Sequence, residues 1–244
     1  IRKATIDVLK ASKRKNMIHS MIEADISNAR EMIRSRKRET GQFISFTGYI
    51  TYCVSKIVEK NKEMQAYRTW NNKLVIFDDV DVSTTVERKV DGRSEVVPMI
   101  IRSANAKSLN EISGKIRDAQ EEDVESAEVF RFMNLYLTIP PFIRQLLFRI
   151  FDRFPHTMKK NVGTVMVTSV VMIGQGAGWG IPIASHTLNV TVGGIVKRPV
   201  EVRGEIESRD HVCLTISMDH DIIDGAPAAR FIRQLKKMIE SGKM

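Results

Sequence analysis

At 244 residues the chain is long enough for one substantial core or two small ones, and nothing in it reads as a repeat, a low-complexity tract, a signal peptide or a membrane-spanning apolar run. Its net charge of +9 is uneven: residues 1–40 hold eleven Lys or Arg against five Asp or Glu, a solvated basic face or a lure for a polyanion, with no interleaved aromatics or recognition motif to suggest nucleic acid. Cys53 and Cys213 lie in apolar patterns without metal-ligand spacing and read as buried thiols of a reducing compartment, so a cytoplasmic location and no metal are expected.

Residues 1 to about 15 read as a helix with Ile6 and Leu9 facing inward. Ile18 to Ile26 alternates as a strand, and Ser27 suits the N-cap of the basic helix that follows. Phe46, Ile50, Cys53, Val54, Ile57 and Val58 share one stripe of an amphipathic helix, ordinary core packing without chemistry. Ala66 to Trp70 then turns into a strand over Lys73–Phe77, and Val80–Val86 is the next strand. Asp91-Gly92 is a hairpin turn signal, with the return through Val96–Ile101. Ser108 and Glu111 have capping-box spacing at the start of a helix.

In residues 119–160 an acidic patch (Glu121, Glu122, Asp123, Glu125) leads through Phe130–Leu137 to Ile139-Pro140-Pro141, and the prolines should separate two helical pieces. Phe142, Ile143, Leu146, Leu147, Ile150, Phe151 and Phe154 recur at helical spacing, with Arg144, Arg149 and Arg153 opposite. The stripe is expected to pack on its own protein or a sister subunit; the alternative is a membrane surface.

Gly163 to Ser169 reads as a strand, and Gly174 to Gly180 as a glycine-rich loop that fits no phosphate-binding fingerprint. Leu188 to Ile195 is another strand, and a final helix buries Phe231, Ile232, Leu235, Met238 and Ile239. Between them Leu214, Ile216 and Met218 alternate with Thr215 and Ser217, the period of a half-buried strand. His220 follows where this strand hands over to a turn, a place where a rigid scaffold can present an imidazole as a base. Asp224 and Gly225 suit that turn: Asp can bond nearby backbone, and Gly allows positive φ. His-x-x-x-Asp-Gly by itself is weak, since a strand-end His is more often structural.

Ser217-Met218-Asp219-His220, then Asp224-Gly225-Ala226 and Ala228–Phe231, resembles the active-site end of the catalytic domain of the 2-oxoacid dehydrogenase (dihydrolipoamide) acyltransferase family, relatives in fold of chloramphenicol acetyltransferase. Glu23–Ser27, Val96-Val97-Pro98, Ser108–Ile112 and Gly163–Ser169 are similar to further segments of that family. The resemblance implies an α/β (α+β) fold with a mixed β-sheet flanked by helices: one catalytic domain over 1–244 with a divergent helical insertion at about 119–160. It also implies a homotrimer with sites at subunit interfaces, coenzyme A or acyl-CoA as a substrate whose phosphates the basic segment could attract, and an acceptor thiol such as dihydrolipoamide. His220 would be the base, Thr168 the hydroxyl that stabilises the oxyanion, and Asp224 the residue orienting the turn through an arginine, with Arg2 a candidate. Residues contacting coenzyme A are not assigned.

Three positions depart from the family pattern. Asp221 replaces the Arg after the catalytic His, Ser169 replaces an Asn, and Ile181-Pro182-Ile183 stands for an Asn-Pro-Pro segment, so substrate contacts need not carry over. No Asp-Lys-Ala lipoylation site is present, so no bound lipoyl group is expected; the chain reads as a free-standing member or as one shorn of its lipoyl and subunit-binding domains. The reading from a different class is a catalytically idle trimeric scaffold that binds a partner through residues 130–154.

Overall fold

A computed structural model of the chain describes Ile6, Lys10 and residues 15–90, 93–121, 138–151, 153–170 and 176–243. The expected N-terminal helix, with Arg2, lies mostly outside these residues, as do the Asp91-Gly92 turn and Phe130–Leu137. The frame is a six-stranded mixed sheet built from β1 (Met17–Asp25), β4 (Val82–Val90), β5 (Arg93–Ile101), β6 (Val165–Ser169), β7 (Leu188–Val202) and β8 (Glu205–Asp219), in the order β1-β8-β7-β6-β4-β5. The pairs β4–β6 and β6–β7 are parallel and the rest antiparallel. A separate two-stranded ribbon joins β2 (Tyr67–Arg68) to β3 (Leu74–Val75).

Period-two alternation divides the sheet into unlike faces. Ala24, Val165, Val167, Leu188, Val190, Leu214, Ile216 and Met218 point to one side, where they form a single core with α1 (Ser27–Thr40), α2 (Phe46–Lys60), α3 (Leu109–Glu121) and α6 (Gly225–Ser241). The other face carries Thr168, Asn189, Thr191, Thr215 and Ser217, and all of these but Thr168 are fully buried. A large polar area buried on the second face is unusual for a sheet whose first face already holds the core, and it marks where a site can form.

Helix starts follow local chemistry. The Ser45 hydroxyl accepts from the Gly48 N–H at 2.8 Å to cap α2, and Ser108 and Glu111 close a reciprocal capping box at the start of α3. Ser27 is not the cap of α1: it is already helical, and its N–H donates to the Asp25 carboxylate at 2.8 Å. The acid two residues upstream takes the free helix donor, so the serine need not.

Strands β7 and β8 form a long hairpin, 15 residues on each side, turned at Arg203 and Gly204, both with positive φ. β7 runs seven residues past the expected end at Ile195. Pro199 is tolerated there because β6 stops pairing at Val192, leaving that side of β7 an edge. In the divergent segment, α4 (Pro141–Phe151) ends before α5 (Pro155–Val162), because the pre-proline residue Phe154 is held out of the helical region, at φ −114° and ψ 88°. Of the apolar stripe, Phe142 is 72% and Leu146 53% exposed.

Candidate active site

β8 delivers Asp219 and His220 to one end of the sheet. The His220 N–H donates to the Asn16 carbonyl at 2.8 Å, extending the β1–β8 pairing by one residue. The Asp219 carboxylate, 6% exposed, receives the Lys15 ammonium at 3.1 Å and the Asp221 N–H at 3.2 Å. The Asp221 carboxylate is held by Asn16 Nδ2 at 2.9 Å and by Arg68 of β2 at 3.3 Å. Three successive residues are therefore tied to the Lys15-Asn16 dipeptide, and Ile222 and Ile223 close the turn onto the Asp219 carbonyl. The His220 side chain stands exposed at the centre of this clamp.

The expected partner of Asp224, Arg2, lies outside the described residues. Asp224 occupies the N-cap position of α6, its carbonyl accepts from the Ala228 N–H, and its exposed carboxylate has no hydrogen bond or ion pair among the described residues. Gly225 begins the helix without positive φ. The Asp that bonds the turn backbone is Asp219, one residue before the histidine. Asp221 keeps its charge balanced through Arg68, a cation placed on the neighbouring ribbon where the family pattern would put one beside the histidine.

Thr168 lies on β6, half-buried, with its hydroxyl 3.3 Å from that of Thr191 on β7. The register runs Thr168–Thr191–Thr215 straight across three strands. His220 is five residues beyond Thr215, so it stands about 16 Å farther along the strands and about 10 Å across them. One protomer does not bring this base and this hydroxyl to a common reacting atom, which would need to lie about 3 Å from each. Ser169 points to the opposite, helical side, where with Arg30, Arg34, Phe46 and Ile195 it lines a cavity of about 400 Å³.

The segment 176–186 lies over the polar face of the sheet. Gly193 and Gly194, at the bulge in β7, let it approach: a Cβ on Gly193 would sit 2.1 Å from the Gly178 carbonyl oxygen, and one on Gly194 2.2 Å from that of Gly176. The indole of Trp179 donates to the Ile22 carbonyl at 3.2 Å. Beyond it His186 is wholly buried. Its Nε2 must donate to the Val162 carbonyl at 2.9 Å, so Nδ1 is the acceptor for the Ser185 hydroxyl at 2.7 Å. Burial pushes its pKa from 6.5 down to about 4, so the ring is neutral and structural. Among the described residues no group of three or more His, Cys, Asp and Glu is placed to hold a metal ion, and no helix is long and apolar enough to cross a membrane.

The sequence model of the 2-oxoacid dehydrogenases acyltransferase (catalytic domain) family matches residues 1–127 and 155–244. The chain belongs to this family. It is 27% identical over 196 residues to the dihydrolipoyllysine-residue acetyltransferase component of the pyruvate dehydrogenase complex of Mycoplasma genitalium, covering 79% of this chain and 43% of that one. It is 24% identical to the lipoamide acyltransferase component of the branched-chain alpha-keto acid dehydrogenase complex of Bacillus subtilis, covering 99% of this chain and 51% of that one. The chain thus spans about half the length of the curated relatives it matches. Among solved structures, a probable dihydrolipoamide acetyltransferase from Listeria monocytogenes superposes with a TM-score of 0.72 at 21% identity, over 99% of this chain and 92% of that one, the same fold.

Several residues around the histidine carried no signal in the sequence. Lys15, Asn16 and Arg68 reach the residues flanking it from far along the chain, Lys15 from 204 positions before Asp219, and no local pattern marks such contacts. Asp219 was visible as a neighbour of His220, without its role. Thr191 falls in the strand expected over Leu188–Ile195 with no motif to single it out, and no motif marks His186.

Proposed function

We propose that this chain is a coenzyme A-dependent acyltransferase, moving an acyl group between coenzyme A and an acceptor thiol such as dihydrolipoamide. The observation that carries this reading is the exposed imidazole of His220 on a backbone fixed at both neighbouring residues, in a chain of this acyltransferase family. A thiol with an ordinary pKa of about 8.5 is mostly protonated near pH 7 and is then a poor nucleophile. His220 removes its proton as the sulfur attacks the thioester carbonyl, forming the new carbon–sulfur bond. The tetrahedral intermediate carries its negative charge on the former carbonyl oxygen, to which the Thr168 hydroxyl donates. Collapse breaks the original carbon–sulfur bond, and the departing sulfur recovers the proton from the imidazolium.

The separation of Thr168 from His220 within one protomer supports a site shared between subunits, with the base from one chain and the hydroxyl from its neighbour in a homotrimer. The exposed Phe142 and Leu146 are then available to a subunit contact. The test is turnover of acetyl-CoA, succinyl-CoA and branched acyl-CoAs with dihydrolipoamide, small amines or alcohols, followed by chromatographic measurement of free coenzyme A and of the acylated acceptor, with each acyl-CoA alone as the control. Transfer to a thiol is expected. A trimer that turns over none of them favours instead an idle scaffold that binds a partner through residues 130–154.

A further inference from the structure

We propose that Thr191 is a positioning residue for this reaction: it donates to Thr168 and so leaves the Thr168 proton free for the oxyanion. The inference rests on the acyltransferase reading above. A threonine hydroxyl has one proton and two lone pairs. The two hydroxyls lie 3.3 Å apart, so one of them donates to the other. If Thr168 were the donor, its only proton would be spent inside the sheet and none would face a substrate.

The surroundings decide the direction. Thr191 is 2% exposed, and Thr168 is the only partner its hydroxyl has among the described residues. A buried hydroxyl that gave its proton to nothing would be costly, so the Thr191 proton goes to Thr168. Thr168, half-buried, still has an open side on which to donate. Thr191 is β-branched and sits on the middle strand of the three that carry this row, so its side chain has few rotamers to choose from. Mere adjacency in register does not produce such a bond: Thr215, next in the same row, is buried with its hydroxyl unpartnered among the described residues. The sheet thus singles out the Thr168–Thr191 pair.

The experiment is a mutant cycle in the full chain, assayed with acetyl-CoA and dihydrolipoamide, or with the acyl-CoA and acceptor pair the wild type uses. Removing one orienting hydrogen bond with Thr191→Val is expected to lower kcat about threefold to tenfold. KM for the acyl-CoA should stay within about twofold, as befits an interaction felt in the transition state. Thr191→Ser, which keeps the donor, should retain most of the activity. In a Thr168→Ala background, Thr191→Val should add nothing. Wild-type kcat in Thr191→Val, or an equal loss in the Thr168→Ala background, overturns the proposal, and so does a change confined to KM. If Thr191→Val does not fold, Thr191→Ala enters the same cycle. An impaired Thr168→Ala with an unimpaired Thr191→Val overturns this inference alone, while a fully active Thr168→Ala overturns the oxyanion role together with it.

Discussion

The imidazole of His220 has no hydrogen bond among the described residues, while the groups on both sides of it are held: its own N–H by Asn16, Asp219 by Lys15, and Asp221 by Asn16 and Arg68. In the proposed mechanism the backbone sets the aim, and the ring nitrogens stay available for a proton in transit. His220→Ala should therefore lower acyl transfer at least about a hundredfold with little change in melting temperature, since the side chain is exposed. A purified variant that keeps more than a few per cent of the rate removes His220 from the mechanism. His186 is the opposite kind of histidine. Its pKa falls from 6.5 to about 4 on folding, so between these values the unfolded chain binds a proton that the folded chain does not. Stability is then full above pH 6.5 and declines as the pH falls toward 4, by roughly 3 kcal/mol across that window. His186→Gln can still donate to the Val162 carbonyl and does not titrate. Urea midpoints at pH 7 and pH 5 should show a smaller drop for this variant than for the wild type; equal drops would assign the pH dependence to other groups.

At the scale of elements, the polar face of the sheet depends on how closely the loop lies on β7. Backbone oxygens of Gly178 and Gly176 occupy the space where Cβ atoms of Gly193 and Gly194 would be, so these two glycines answer to a packing need rather than to a turn. Gly193→Ala should push the loop away, at a cost of about 1–3 kcal/mol. Trp179 reports the change, because its indole is tethered to the Ile22 carbonyl. In a Trp70→Phe background its emission should move to the red. Unchanged emission with unchanged stability would mean that the loop is not seated there. The ribbon of β2 and β3 is a second element with a task beyond packing: it carries Arg68 to Asp221 and so pins one side of the histidine turn.

For the whole molecule, the separation between His220 and Thr168 has a consequence for assembly. If the base and the oxyanion donor come from adjacent chains, the active particle is an oligomer, and light scattering should give three times the protomer mass. A monomer, or a particle of twenty-four chains, would contradict this. Mixed trimers give the sharper measurement. A His220→Ala chain and a Thr168→Ala chain, co-expressed with random equal mixing in a cyclic trimer, pair an intact histidine with an intact threonine at roughly a quarter of interfaces. Activity should approach that fraction of wild type, well above either variant alone. Activity equal to the average of the two pure variants, in particles shown by mass spectrometry to be mixed, would place the whole site in one subunit.

The sequence by itself determined the elements whose signals are local. Alternation marked the strand before His220, a 3.6-residue stripe marked the helix over Phe46–Lys60, and Ser108 with Glu111 marked a helix start that does form its capping box. It also marked the strand-end histidine and the acyltransferase family, because these lie in short contiguous motifs. Other features were settled only by tertiary structure. Ser27 loses the cap of α1 because Asp25 is better placed, and β7 continues past Ile195 because a partner strand is there to pair with. The clamp of Lys15, Asn16 and Arg68 on the histidine turn, and the hydrogen bond between Thr191 and Thr168, join residues distant in the chain. Their partners are chosen by sheet register, and register depends on the packing of the whole core rather than on any local run of residues.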